Sequence, residues 1–143
     1  GEMYIFDNED SESEVKIEGK DVTIVSFGKI LKEAVKAIEE LKKENISAEL
    51  IDLRTIRPLD IDTILKSVKK TNRLVILEES WPFGNISTEI TYQVQNSAFD
   101  YLDAPVEKIN TADTPAPYSP VLLNEWLPNY KDVIKAVNKV MYR

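Results

Sequence analysis

Residues 22–53, VTIVSFGKILKEAVKAIEELKKENISAELIDL, change hydrophobic period twice. Val22-Thr23-Ile24-Val25 is a β-branched run that suits a buried strand, and Ser26-Phe27-Gly28 ends it. From 29 to 44 the spacing lengthens to threes and fours. Ile30, Leu31, Ala34, Val35, Ile38 and Leu41 fall on one helical face, with lysines and glutamates opposite. Asn45 reads as the helix stop. Residues 47–53 return to the pattern of a core strand. Strand, helix and strand in succession predict a βαβ unit, and with it an α/β sandwich on a mainly parallel sheet.

The pattern repeats on both sides of this unit. A short strand is expected at 15–18, ending at Gly19. After the turn RTIRPLD (54–60), Pro58 holds Arg57 extended and Asp60 is placed to cap a helix over 61–70. RLVILE (73–78) is a third core strand. WPFGN (81–85) is a loop, and 86–97 a helix with Asn85 as its cap. A further strand is expected at 105–110, then a proline-rich loop, TADTPAPYSP (111–120). The last helix spans 130–141, with Val133, Ile134, Val137 and Met141 on its apolar face. Asp132 near its start and Lys139 and Arg143 near its end suit the helix dipole. Residues 1–14 stand apart: MYIF (3–6) precedes five acids between positions 7 and 14, which reads as a mobile surface stretch. The expected organisation is an acidic N-terminal segment with a short strand over 1–19 and one α/β domain over 20–143.

Composition removes several classes of function. The 143-residue chain has no Cys and no His, so disulfides, thiolate catalysis, Cys-ligated zinc and the commonest general base near neutral pH are all absent. That tilts the reading away from an independent catalyst. A net charge of −7 disfavours nucleic acid and anionic membrane surfaces, and favours a basic protein partner. No apolar run approaches the roughly 20 residues of a membrane helix. No basic region followed by an apolar stretch opens the chain, which predicts a protein that is not secreted.

The four glycines, at 1, 19, 28 and 84, make no phosphate-binding loop. Ligands of open α/β sheets sit beyond the carboxyl ends of the strands. The residues expected there are Ser26-Phe27-Gly28, Asp52-Leu53-Arg54, Glu78-Glu79-Ser80 and Thr111-Ala112-Asp113. Glu78 and Glu79 could hold a cation or do acid–base work. Successive strand residues face opposite ways, however, so one acid is expected in solvent and the other capping or paired with an arginine such as Arg54. A stand-alone small-ligand domain would need Glu78, Arg54 and Asp113 in one pocket. The acids at 7–14 lack the glycine and the spacing of a calcium loop. Ser11 and Ser13 among them could be phosphorylated, but such sequences are commonplace in disordered tails. Trp81-Pro82-Phe83 puts two aromatics directly after a strand, where polar residues are the norm. They either plug the sheet end or anchor an interface. Tyr118 and Trp126 raise the same alternatives, and a domain this small rarely exposes so many aromatics without a partner.

Five segments, in order, resemble one family: IDLRTIRPLD (51–60), RLVILEESWP (73–82), AFDYLDAPVEKIN (98–110), DTPAPYSP (113–120) and LPNYKDVIKAVNKV (127–140). They look like the C-terminal domain of 2-oxoacid dehydrogenase beta subunits, and WP with AFDYLDAP favours the pyruvate enzyme over the branched-chain one; the alternative is a branched-chain 2-oxoacid dehydrogenase or transketolase C-terminal domain. The resemblance covers about 20–143. It implies a three-layer α/β/α domain of the transketolase C-terminal type, with a mainly parallel five-stranded sheet and one antiparallel strand. It implies an alpha subunit and a second beta subunit as partners. It further implies docking on the peripheral subunit-binding domain of a dihydrolipoyl acyltransferase, which is small and basic. Thiamine diphosphate and Mg would lie between the alpha subunit and an N-terminal domain outside this sequence, with none held by these residues. The implied location is a bacterial cytoplasm or an organelle matrix. Glu78, Glu79, Trp81, Phe83, Tyr101, Asp103 and Tyr118 are the candidate interface residues, the two glutamates as docking charges. Two departures stand out. Phe27 occupies a position where the family often has His or Tyr. Asn85 and Ser87 stand where glycines are common, which puts close backbone packing at that helix start in doubt.

Overall fold

A computed structural model describes residues 14–26, 28–53, 61–78, 86–109 and 129–142. Strands β1 (Glu14–Ile17), β2 (Val22–Ser26), β3 (Ala48–Asp52), β4 (Leu74–Leu77) and β5 (Glu107–Ile109) form one sheet in the order β1-β3-β2-β4-β5. β2 pairs in parallel with both β3 and β4, and β4 with β5. β1 alone runs antiparallel, with Glu14 opposite Asp52. The strand expected within the N-terminal segment is therefore an edge of the same sheet.

Helices α1 (Leu31–Lys42), α2 (Ile61–Thr71), α3 (Ile86–Ala98) and α4 (Tyr130–Val140) make the outer layers, with short 3₁₀ turns at Gly28–Ile30 and Phe99–Tyr101. The strand alternation assigns the faces. Val22, Ile24, Leu50, Val75 and Leu77 pack with Ala34 and Leu41 of α1 and Val133 and Val137 of α4. Val25, Ile51, Leu74 and Ile76 pack with Ile64 and Val68 of α2 and Ile90 and Val94 of α3. A sheet buried on both faces explains why β4 reads as an unbroken apolar run and why β2 is buried along its whole length. The result is the three-layer α/β/α sandwich the sequence implied.

Local chemistry fixes the helix ends. Asn45 (φ 65°) and Asn72 (φ 67°) take the left-handed conformation just past α1 and α2. Asn129 caps α4, accepting from the Lys131 N–H at 2.8 Å, while the Asp132 carboxylate accepts from the Asn129 N–H at 2.9 Å. Glu33 on α1 also accepts from the Tyr130 N–H at 2.8 Å, tying the start of α4 to α1. Under α2, the Thr23 hydroxyl lies 2.6 Å from the hydroxyls of both Ser67 and Thr71. A polar residue in the centre of β2 is thereby satisfied.

Candidate functional site

Among the described residues, Ser26 and Glu78 at the carboxyl ends of β2 and β4 point to opposite faces of the sheet. Glu78 continues the β4 alternation on the α2–α3 side. It is only 1% exposed, and its Oε1 accepts from the Ser87 N–H at 3.2 Å in the first turn of α3. The carboxylate thus meets the positive end of that helix. Its Oε2 is buried without a hydrogen-bond partner among the described residues. Reading Glu78 as a surface docking charge is therefore corrected: the start of α3 descends over the strand end and buries it, leaving the capping role. Ser87, where the family favours glycine, is itself buried and makes this close approach through its backbone. Ser26 follows Val22 and Ile24 onto the opposite face, where its buried Oγ also lacks a partner among the described residues. Arg54, Glu79, Trp81, Phe83, Asp113 and Tyr118 lie outside the described residues.

Among the described residues, no three acidic side chains gather to hold a metal ion. Nor do the closely spaced glycines of a diphosphate loop occur. A groove of about 710 Å³ opens instead at the amino ends of β2 and β3, beside α1. Its floor includes Ile17, Val35 and Ile46, while lysines and acids alternate on its rim. The Asp21 carboxylate there is already engaged, accepting from the Ser47 N–H at 2.7 Å. Mixed rim charge gives this groove no preference for one ligand sign.

A built surface lies near the amino end of β4, where the carboxyl ends of α2, α3 and α4 meet. Tyr101, 45% exposed, and Asp103, whose side chain is 57% exposed, stand on the segment that leaves α3. Three hydrogen bonds hold that segment. Asp103 N–H donates to the Asn72 carbonyl at 2.8 Å, Asn72 Nδ2 donates to the Tyr101 carbonyl at 2.7 Å, and Tyr142 OH donates to the Asp103 carbonyl at 3.2 Å. Tyr142 takes a left-handed φ of 61° just beyond α4 and is 72% exposed. Lys69 Nζ sits 5.4 Å from the Tyr101 ring centroid, a cation already on an aromatic face. The Arg73 guanidinium is 3.8 Å from Asp103 Oδ2, too loose and exposed to count for more than about 1 kcal/mol. The Asp103 carboxylate therefore stays available beside three negative helix ends.

Of the seven candidate residues, Tyr101 and Asp103 share this surface, Glu78 is buried at the far end of the sheet, and the other four are outside the described residues. Tyr142 was missed, because only the fold brings the end of α4 against Asp103.

The family described as transketolase, C-terminal domain, matches residues 11–133. The chain belongs to that family. A pyruvate dehydrogenase E1 component subunit beta from Rickettsia bellii is 54% identical over 125 residues, 87% of this chain and 38% of the relative. The mitochondrial pyruvate dehydrogenase E1 subunit beta of Dictyostelium discoideum is 48% identical over 131 residues, 92% of this chain and 37% of the relative. This member of the transketolase C-terminal family thus spans about 38% of the length of such relatives. Among solved structures, a split-gene transketolase, described as an inactive beta4 tetramer, superposes with a TM-score of 0.80 at 27% identity. That match covers 99% of this chain and 46% of the other. The relatives are bacterial and mitochondrial, and no described helix is long and apolar enough to cross a membrane.

Proposed function

We propose that this chain is the C-terminal domain of the beta subunit of a pyruvate dehydrogenase decarboxylating component. Its role is subunit assembly and docking on the dihydrolipoyl acyltransferase core, in a complex that converts pyruvate to acetyl-CoA. Identity near one half to E1 beta subunits along most of the chain supports the assignment. The surface of Tyr101, Asp103 and Tyr142 supports docking. It joins exposed aromatics to an available carboxylate on a rigid frame, and a small basic subunit-binding domain is the partner such chemistry suits. Decarboxylation on thiamine diphosphate belongs, in this reading, to the alpha subunit and the N-terminal part of the beta subunit. Substrate choice is made there too. The test is calorimetric titration of the chain with the subunit-binding domain of the acyltransferase at low and at high salt. Binding that weakens as salt rises is expected; heat absent under both conditions overturns the docking role.

A further inference from the structure

The net charge of −7 is unevenly spread. α4 carries three lysines, Lys131, Lys135 and Lys139, against one acid, Asp132. All three lysines are exposed, and they stand four apart, so they line one side of the helix in steps of about 6 Å. α1 packs alongside and adds the exposed Lys32 and Lys36. Two contacts set these beside the start of α4. Glu33 accepts from the Tyr130 N–H at 2.8 Å, and Lys36 Nζ sits 4.3 Å from the Tyr130 ring centroid. Lys32, Lys36, Lys131 and Lys135 therefore gather on one face.

The acids nearby are already engaged. Glu33 is taken by that amide, and the Asp132 carboxylate by the Asn129 N–H at 2.9 Å. Glu40 pairs with Lys43 at 3.2 Å, and Glu107 with Lys139 at 3.3 Å. Among the described residues, no acid pairs with Lys32, Lys36, Lys131 or Lys135. Lys32 and Lys131 also stand in the first turns of their helices, where the dipole disfavours a cation. Helix stability does not account for them.

The charge selects the occupant. An acidic protein segment meets four cations within reach of a Debye length of about 10 Å at 0.1 M salt. A membrane or a nucleic acid extends beyond this face and brings its anions against the rest of a net negative chain. A bilayer would also call for apolar side chains to take up. Among the described residues the exposed aromatics stand elsewhere, on α3, on the turn after it, or at the far end of α4.

We infer that the face shared by α1 and the first turns of α4 docks an acidic protein segment through Lys32, Lys36, Lys131 and Lys135. It is opposite in sign to the Asp103 surface and separate from it. That surface meets α4 at Tyr142, roughly 16 Å along the axis from Lys131.

The probe is a short fluorescent polyglutamate peptide, titrated by anisotropy with the full chain. Binding is expected at low salt and should weaken as salt rises. Lys131→Glu/Lys135→Glu should weaken it roughly tenfold. That variant should fold, since glutamate suits the first turn of a helix. Lys32→Gln/Lys36→Gln, on the other helix, should weaken binding in the same direction. The control is Lys66→Glu/Lys108→Glu, two exposed lysines on α2 and β5. It changes the net charge as much as the α4 reversal and should leave the affinity within about twofold. No binding at low salt overturns the inference. So does equal loss in reversal and control, which would report net charge alone. Stronger capture by vesicles of phosphatidylcholine and phosphatidylserine than by the peptide also overturns it, and gives the face to a membrane. A chain that ignores the peptide but binds the subunit-binding domain removes this inference alone. One that binds the peptide but ignores that domain removes the docking reading alone.

Discussion

Replacing Gly19 with alanine tests how β1 is joined to the sheet. A Cβ at Gly19 would lie 2.3 Å from the Ala48 carbonyl carbon and 2.5 Å from both the Ala48 oxygen and the Glu49 nitrogen. These are backbone atoms of β3, which is paired on both sides, to β1 and to β2. Reaching ordinary contact means moving backbone by about 1 Å, because nothing flexible can yield. The Gly19 N–H also donates to the buried Glu49 Oε1 at 3.0 Å, which Lys70 approaches from α2. Overpacking costs up to about 3 kcal/mol, and the rigid partners put this substitution at that upper end. In a chain of this size the melting temperature should fall by roughly 10 °C. Gly28→Ala is the control. Gly28 has a left-handed φ of 77° with nothing within 4 Å of an added Cβ, so only backbone strain of about 1 kcal/mol applies. Thermal melts followed by circular dichroism measure both. If Gly19→Ala melts with or above Gly28→Ala, the close approach of the 17–20 turn to β3 is wrong.

Other substitutions read other parts of the account. Glu78→Ala should cost about 1–3 kcal/mol in urea unfolding, because the Ser87 amide loses its buried acceptor; Glu78→Gln keeps that acceptor and should lose clearly less. Equal losses in the two variants would argue that the carboxylate does not cap α3 through that bond. Thr23→Val should cost about 1–2 kcal/mol by stranding the Ser67 hydroxyl, read as a lower urea midpoint at constant m-value. Asn129→Ala should cost about 1 kcal/mol through loss of the α4 cap, with amide exchange accelerated first in residues 130–133.

The sheet and its flanking helices were legible because burial on both faces writes mostly apolar strands, and α1, α2 and α4 write clear helical stripes. Strand edges were less so. Of the strand expected at 105–110, the described residues pair at 107–109 in β5. The capping box at Asn129 and Asp132 was present in the sequence as an N-x-x-D spacing and could have been read there. That one of Glu78 and Glu79 caps was expected, but not which: a strand-end acid is buried only if a later element covers it, and α3 begins eight residues downstream. Tyr101 and Asp103 were singled out from composition, but Tyr142 joins them only through the packing of α4.

Docking through Asp103 is the central claim. Light scattering of the chain mixed with the acyltransferase subunit-binding domain, for wild type and for Asp103→Lys, tests it most directly. Asp103 is exposed and its ion pair with Arg73 is loose, so the variant should fold with an unchanged melting temperature. The account predicts a salt-sensitive complex for the wild type and none for Asp103→Lys. A complex of undiminished affinity in the variant would contradict it and move the docking surface elsewhere on the chain.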